Sequence, residues 1–204
     1  MKTKSHIVSL LMVAVAVFLA LVNCGGKKEV AHDNHDAATE AEEKTAAQPT
    51  APLFIVDAAF QQQLAGVFTS YVSLKESFVA ADPATVKSSA TNVAHALVKA
   101  DMKLLTGAAH NDWMNYLGDM EGALKEMQAT DDIEDQRKAF KNLSDSLYKS
   151  IKAYGLGGTT AYYEYCPMAF NNTGAYWLSD NSTIRNPYFG DKMLSCGAVE
   201  ETLQ

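Results

Sequence analysis

The chain has 204 residues, 48% of them apolar, and its 17 basic and 24 acidic side chains leave a formal charge of −7. An acidic excess with no basic cluster gives no electrostatic means of gathering nucleic acid, which excludes that class of partner. About 150 residues of ordinary globular composition lie beyond the N-terminal segments, enough for one core.

Lys2 and Lys4 open the chain, and Ile7 to Val22 is apolar except for Ser9. A charged start followed by such a run is the pattern of a signal peptide over residues 1–23. The run is short of the roughly 20 residues that span a bilayer as a permanent helix. It leads into Leu21-Val22-Asn23-Cys24-Gly25, which resembles the lipobox of bacterial lipoproteins. The expectation is lipidation at Cys24, a lipid anchor in a membrane of the cell envelope, and a domain facing the periplasm. Residues 1–23 carry two basic residues and no acidic one, so the chain without them has a formal charge of −9.

From Gly25 to about Pro52 the chain is rich in Ala, Glu, Asp, Lys and Thr and has no aromatic residue. Such a segment cannot bury enough apolar surface to order itself, so residues 24–56 read as a disordered tether behind the anchor. His32-Asp33-Asn34-His35-Asp36 within it reads as a solvated run with, at most, weak metal affinity.

Four helical patterns follow, over residues 57–158. Phe60, Leu64, Val67, Phe68, Tyr71, Leu74 and Phe78 recur at three- and four-residue steps, one face of a helix starting near Asp57. Asp82-Pro83 supplies a capping side chain and a proline at the first helical position. The second pattern runs from there through Val86, Ala90, Val93, Leu97 and Asp101 to Leu104 and Leu105, with Thr106-Gly107 as its stop. Trp113, Tyr116, Leu117, Met120, Leu124 and Met127 mark a third. Thr130-Asp131-Asp132 puts caps and acid at the positive end of a fourth, whose stripe is Ile133, Phe140, Leu143, Leu147, Ile151 and Tyr154, closed by Gly155. Short connections favour antiparallel neighbours. The fold predicted is mainly α: an antiparallel four-helix bundle carrying a small C-terminal β-hairpin and turn-rich appendix.

That appendix spans residues 159–204 and forms one domain with the helices. Thr159 to Met168 is dense in Thr and Tyr, which favour strands. Asn171-Asn172-Thr173-Gly174 is a turn cluster, after which Ala175 to Leu178 can pair back. Asn186-Pro187-Tyr188-Phe189-Gly190 is a second turn, and Lys192 to Leu203 reads as a short helix or two.

The appendix also holds the sulfur. Cys166-Pro167-Met168 sets a thiol and a thioether two residues apart, and Met193-Leu194-Ser195-Cys196 sets another pair three apart. With Cys24 consumed by lipid, Cys166 and Cys196 remain as an even pair in an oxidising compartment, consistent with one disulfide. On the chain-entropy estimate its loop of about 30 residues contributes roughly 3–4 kcal/mol. The other reading puts Cys166, Met168, Met193 and Cys196 around one soft cation, Cu(I) or Ag(I), because thioethers argue against Mg, Ca or Mn and zinc sites rarely use Met. Trp177 and His95 are candidate secondary contacts, the indole because its face attracts cations. Each also has a purely structural reading, as do His110, placed in a loop, and Arg137, placed in an ion pair beside Glu134 and Asp135. No Gly-rich phosphate loop, nucleophile elbow or metal-protease His/carboxylate spacing is present, and neither Cys166 nor Cys196 has a histidine close by in the chain to activate it. The chain is expected not to be an enzyme.

Tyr165-Cys166-Pro167-Met168-Ala169-Phe170, Gly174-Ala175-Tyr176-Trp177-Leu178-Ser179, Ile184-Arg185-Asn186-Pro187-Tyr188-Phe189-Gly190 and Met193-Leu194-x-Cys196-Gly197, together with Gln136-Arg137-Lys138-Ala139-Phe140 and Leu143-Ser144, resemble the domain-of-unknown-function family 3347 over roughly residues 57–204. Members of that family occur as exported proteins or lipoproteins and as fusions to periplasmic adaptor subunits of copper/silver efflux pumps. The resemblance implies a role near soft-metal handling, with an efflux adaptor or other envelope protein as partner.

Overall fold

A computed structural model describes residues 51–204. The expected signal peptide, the lipidation expected at Cys24 and most of the segment read as a tether lie outside the described residues. The domain is mainly helical, with one small three-stranded antiparallel sheet at its C-terminal end. No described helix is long and apolar enough to cross a membrane.

Helix α1 (Ala58–Val79) begins at Asp57, whose carboxylate accepts the Ala59 N–H at 2.7 Å. Its apolar stripe, Phe60 through Phe78, is fully buried. Helix α2 (Pro83–Val98) is capped by Asp82 on the Ala84 and Thr85 N–H groups. It stops earlier than the sequence pattern suggests. Asp101 turns out to cap a single 3₁₀ turn, Met102–Leu104, by accepting the Lys103 N–H at 3.0 Å, while Gln63 of α1 accepts its own N–H at 2.8 Å. An aspartate's local hydrogen bonds compete with the helix ladder, so Leu104 and Leu105 fall outside α2. Gly107, with φ +58°, starts α3 (Gly107–Ala129) rather than ending α2. His110 therefore sits in the first turns of α3, not in a loop. Helix α4 (Ile133–Tyr154) is capped by Asp132 and closed by Gly155 at φ +75°.

α1 packs on α2, α2 on α3, and α3 on α4, while α1 and α4 also touch. Phe60, Trp113 and Tyr154 meet edge to face at one end of this core, with centroids 5.1 and 5.3 Å from Phe60. Tyr71, Phe78 and Phe140 fill the middle.

Strand β1 (Ala161–Cys166) is the centre of the sheet, flanked by β2 (Ala175–Ser179) and β3 (Ala198–Leu203). β3 replaces the short helix expected near the C-terminus: Val199 and Thr202 are β-branched, and pairing with β1 satisfies a backbone edge that a helix would leave open. The free edge of β2 is covered by tyrosines. The Leu178 N–H donates to the Tyr71 hydroxyl, which in turn donates to Ser144 Oγ of α4, since Ser144 spends its own proton on the Phe140 carbonyl, and the Tyr188 hydroxyl donates to the Tyr176 carbonyl. Burial holds the Tyr71 hydroxyl protonated.

A thiol pair beside a buried carboxyl

Register alternation places Glu164 and Cys166 of β1 on the same sheet face as Trp177 of β2, since Glu164 pairs with Trp177 and Cys166 with Ala175. Cys196 arrives just before β3. Its Sγ lies 3.0 Å from that of Cys166, across 30 residues of chain. Cys166 is buried and Cys196 half-buried, and both are free thiols. The hydrogen bond shared with Cys166, then burial, pushes the Cys196 thiol up to about 11. It is protonated at neutral pH.

The methionines are placed differently from the thiols. Met168 and Met193 line one open depression of about 450 Å³ with Phe170, Tyr188, Phe189 and Arg137, and neither cysteine lines it. Met168 is 45% exposed. The turn between it and β2 is unusual: Phe170, Asn171 and Asn172 take consecutive φ values of +50°, +56° and +66°, a left-handed run that side chains with a Cβ rarely adopt. Of the candidate secondary contacts, Trp177 is fully buried and lies against the Cys196 segment: a Cβ built on Gly197 would stand 2.8 Å from its Cη2 and 2.9 Å from the Tyr165 carbonyl. His95 is exposed on α2, which packs mainly on α1, α3 and α4. Arg137 donates to Glu134 at 2.6 Å and to the Pro187 carbonyl at 3.0 Å. Among the described residues no three His, Cys, Asp or Glu side chains come together as a metal cluster.

Three residues beside the thiols escaped the reading of the sequence. Glu164 is fully buried and neither carboxyl oxygen has a hydrogen-bond partner. Burial pushes its pKa up to about 7, against the pull of the Lys75 ammonium; Asp180 and Glu76 add to the rise. The Trp177 indole N–H faces this carboxyl and favours its charge, though outside hydrogen-bonding geometry. Lys75 is itself 1% exposed, donating to Ser179 Oγ at 3.2 Å and pairing with Glu76 at 2.8 Å. Asn186, fully buried, donates its Nδ2–H to the Cys196 carbonyl at 2.7 Å. A signal for Glu164 was present: strand alternation puts it on the face of Cys166. None existed for Asn186, whose partner is ten residues away.

Comparison with curated proteins and with solved structures returns no match. A family model does match, ending at residue 159 and so leaving the sulfur-bearing strands beyond it. Residues 67–159 are similar to the family described as "Protein of unknown function (DUF3347)".

Proposed function

We propose that this protein is an exported, lipid-anchored accessory that binds a soft cation, Cu(I) or Ag(I), at Cys166 and Cys196, with Met168 and Met193 offering thioethers at the approach, and that it serves metal efflux or buffering beside an envelope partner. The observation that carries this reading is the convergence of two free thiols from segments 30 residues apart. Thiolates and thioethers are the ligands that select such ions. Exchange among sulfurs needs no acid–base catalyst, and the reading is non-catalytic. We infer also that the four helices run alternately up and down as an antiparallel bundle, because residues 80–82, 99–106 and 130–132 are short connections between packed neighbours.

Two thiolates on one tetrahedral ion with metal–sulfur bonds near 2.3 Å stand about 3.8 Å apart, wider than the observed 3.0 Å. Capture therefore requires the half-buried Cys196 to draw back slightly and lose its proton, so affinity rises with pH. The test is competition of the reduced protein with a Cu(I) chelator: Cys166→Ser and Cys196→Ser are each expected to weaken binding about a hundred-fold, or roughly 2.7 kcal/mol. Unchanged affinity in both overturns the assignment.

The same 3.0 Å favours a second reading, a non-catalytic envelope interaction module in which Cys166 and Cys196 form a structural disulfide. Its mark is a mass two hydrogens lighter without reductant, persisting in mildly reducing buffer.

A further inference from the structure

The segment carrying Met193 and Cys196 has little regular structure of its own, with one 3₁₀ turn at Gly190–Lys192, yet ahead of Cys196 its residues 187–190 fasten it to the rest of the domain at three points. Arg137 of α4 donates its Nε–H to the Pro187 carbonyl at 3.0 Å. The buried Tyr188 donates its hydroxyl to the Tyr176 carbonyl on β2 at 2.6 Å, and its ring meets Trp177 and Phe140. Gly190 sits so close to the end of α1 that a Cβ there would stand 2.8 Å from the Val79 carbonyl.

All three fasteners are at residues 187–190, some distance along the chain from Cys196. Asn186 connects them to it. Its Oδ1 accepts the Tyr188 and Phe189 N–H groups at 2.8 and 3.3 Å, fixing the turn. Its backbone N–H donates to the Leu194 carbonyl at 2.8 Å, its carbonyl accepts from Gly190 at 3.1 Å, and Nδ2 donates to the Cys196 carbonyl at 2.7 Å. A buried amide with its oxygen doubly used and its nitrogen committed has one allowed orientation. Met193 is held within the same frame, its carbonyl accepting the Cys196 N–H at 3.0 Å.

We infer that Asn186 is the positioning residue of the thiol site: it sets Cys196 against Cys166 and so determines their effective concentration for a shared cation or for each other. This rests on the thiol-site reading above, and its test includes a metal-free arm. The reduced full chain is equilibrated with a glutathione redox couple. Both thiol S–H bonds break, the Cys166–Cys196 bond forms, and two electrons and two protons pass to glutathione disulfide, which cleaves to two glutathione thiols. Asn186→Asp keeps the acceptor for Tyr188 and Phe189 but sets a carboxylate oxygen, which repels, where the donor to the Cys196 carbonyl stood; it is expected to lower this equilibrium constant, and Cu(I) affinity, about tenfold in a protein that still melts cooperatively. Leu124→Ala, an unrelated core substitution of α3, is expected to leave the equilibrium within about twofold despite lowering the melting temperature. Should Asn186→Asp fail to fold, Asn186→Ser, too short to reach Cys196, takes its place. An equilibrium unmoved by the Asn186 variants, or moved equally by Leu124→Ala, overturns the inference. A tenfold shift in a chain that does not bind Cu(I) sustains it and removes only the metal reading.

Discussion

Replacing Glu164 by Gln makes the protein more stable at pH 8.5 by about 3 kcal/mol while changing its stability at pH 5 by less than about 1 kcal/mol. The carboxyl is fully buried with both oxygens unpartnered, and burial raises its pKa from 4.5 to about 7. A raised acid is stabilising in its neutral form. Its contribution is whole below the unfolded pKa of 4.5 and is lost as pH climbs through about 7, because ionisation is easier in the unfolded chain. The rise from 4.5 to about 7, at about 1.36 kcal/mol for each tenfold change in proton affinity, sets the size of the effect. Lys75, Glu76, Asp180 and the Trp177 N–H all face this carboxyl, and burial outweighs the two that favour its charge. Denaturant unfolding of both chains at the two pH values measures it. Stability curves that run parallel from pH 5 to 8.5 contradict it.

Gly197→Ala is expected to cost about 3 kcal/mol and to separate the thiols. The glycine has φ +145°, outside the range of residues with a Cβ, and the added carbon would press on both Trp177 and the backbone of Tyr165. The backbone strain accounts for roughly 1–2 kcal/mol and the overpacking for a further 1–3 kcal/mol. Neither neighbour can yield easily, since Trp177 is buried and Tyr165 lies in the central strand. The segment must lift away, taking Cys196 with it. Unfolding measurements read the first effect. The yield of the Cys166–Cys196 bond under mild oxidation reads the second, and an unchanged yield would show that the close approach at residue 197 does not govern the pair.

The helices were legible because their signals are local. The stripes of α1 and α4 and the caps Asp57, Asp82 and Asp132 lie where three- and four-residue periodicity and capping chemistry put them. The end of α2 was misread because Leu104 and Leu105 prolong its apolar spacing, while what stops it is Gln63 and Asp101 acting on backbone groups. β3 was misread because Gly197, Glu200 and Glu201 carry little strand propensity; the unpaired side of β1 decides the matter. The candidate site depends on such long-range facts still more. That Cys166 and Cys196 meet follows from the order β2-β1-β3 and from the anchoring of residues 186–190, neither of which is written in the spacing of cysteines and methionines. Glu164 reads in sequence as an ordinary charge in a tyrosine-rich strand, and its buried neighbour Lys75, far away in the chain on α1, carries no signal there of the charge it sets against this carboxyl.

X-ray absorption at the copper edge, on the reduced chain loaded with one Cu(I), bears most directly on the proposed site. The account predicts a first shell made wholly of sulfur that disappears when Cys166 and Cys196 are both replaced by serine. A shell of nitrogen and oxygen, or a sulfur shell that survives the double replacement, would contradict it.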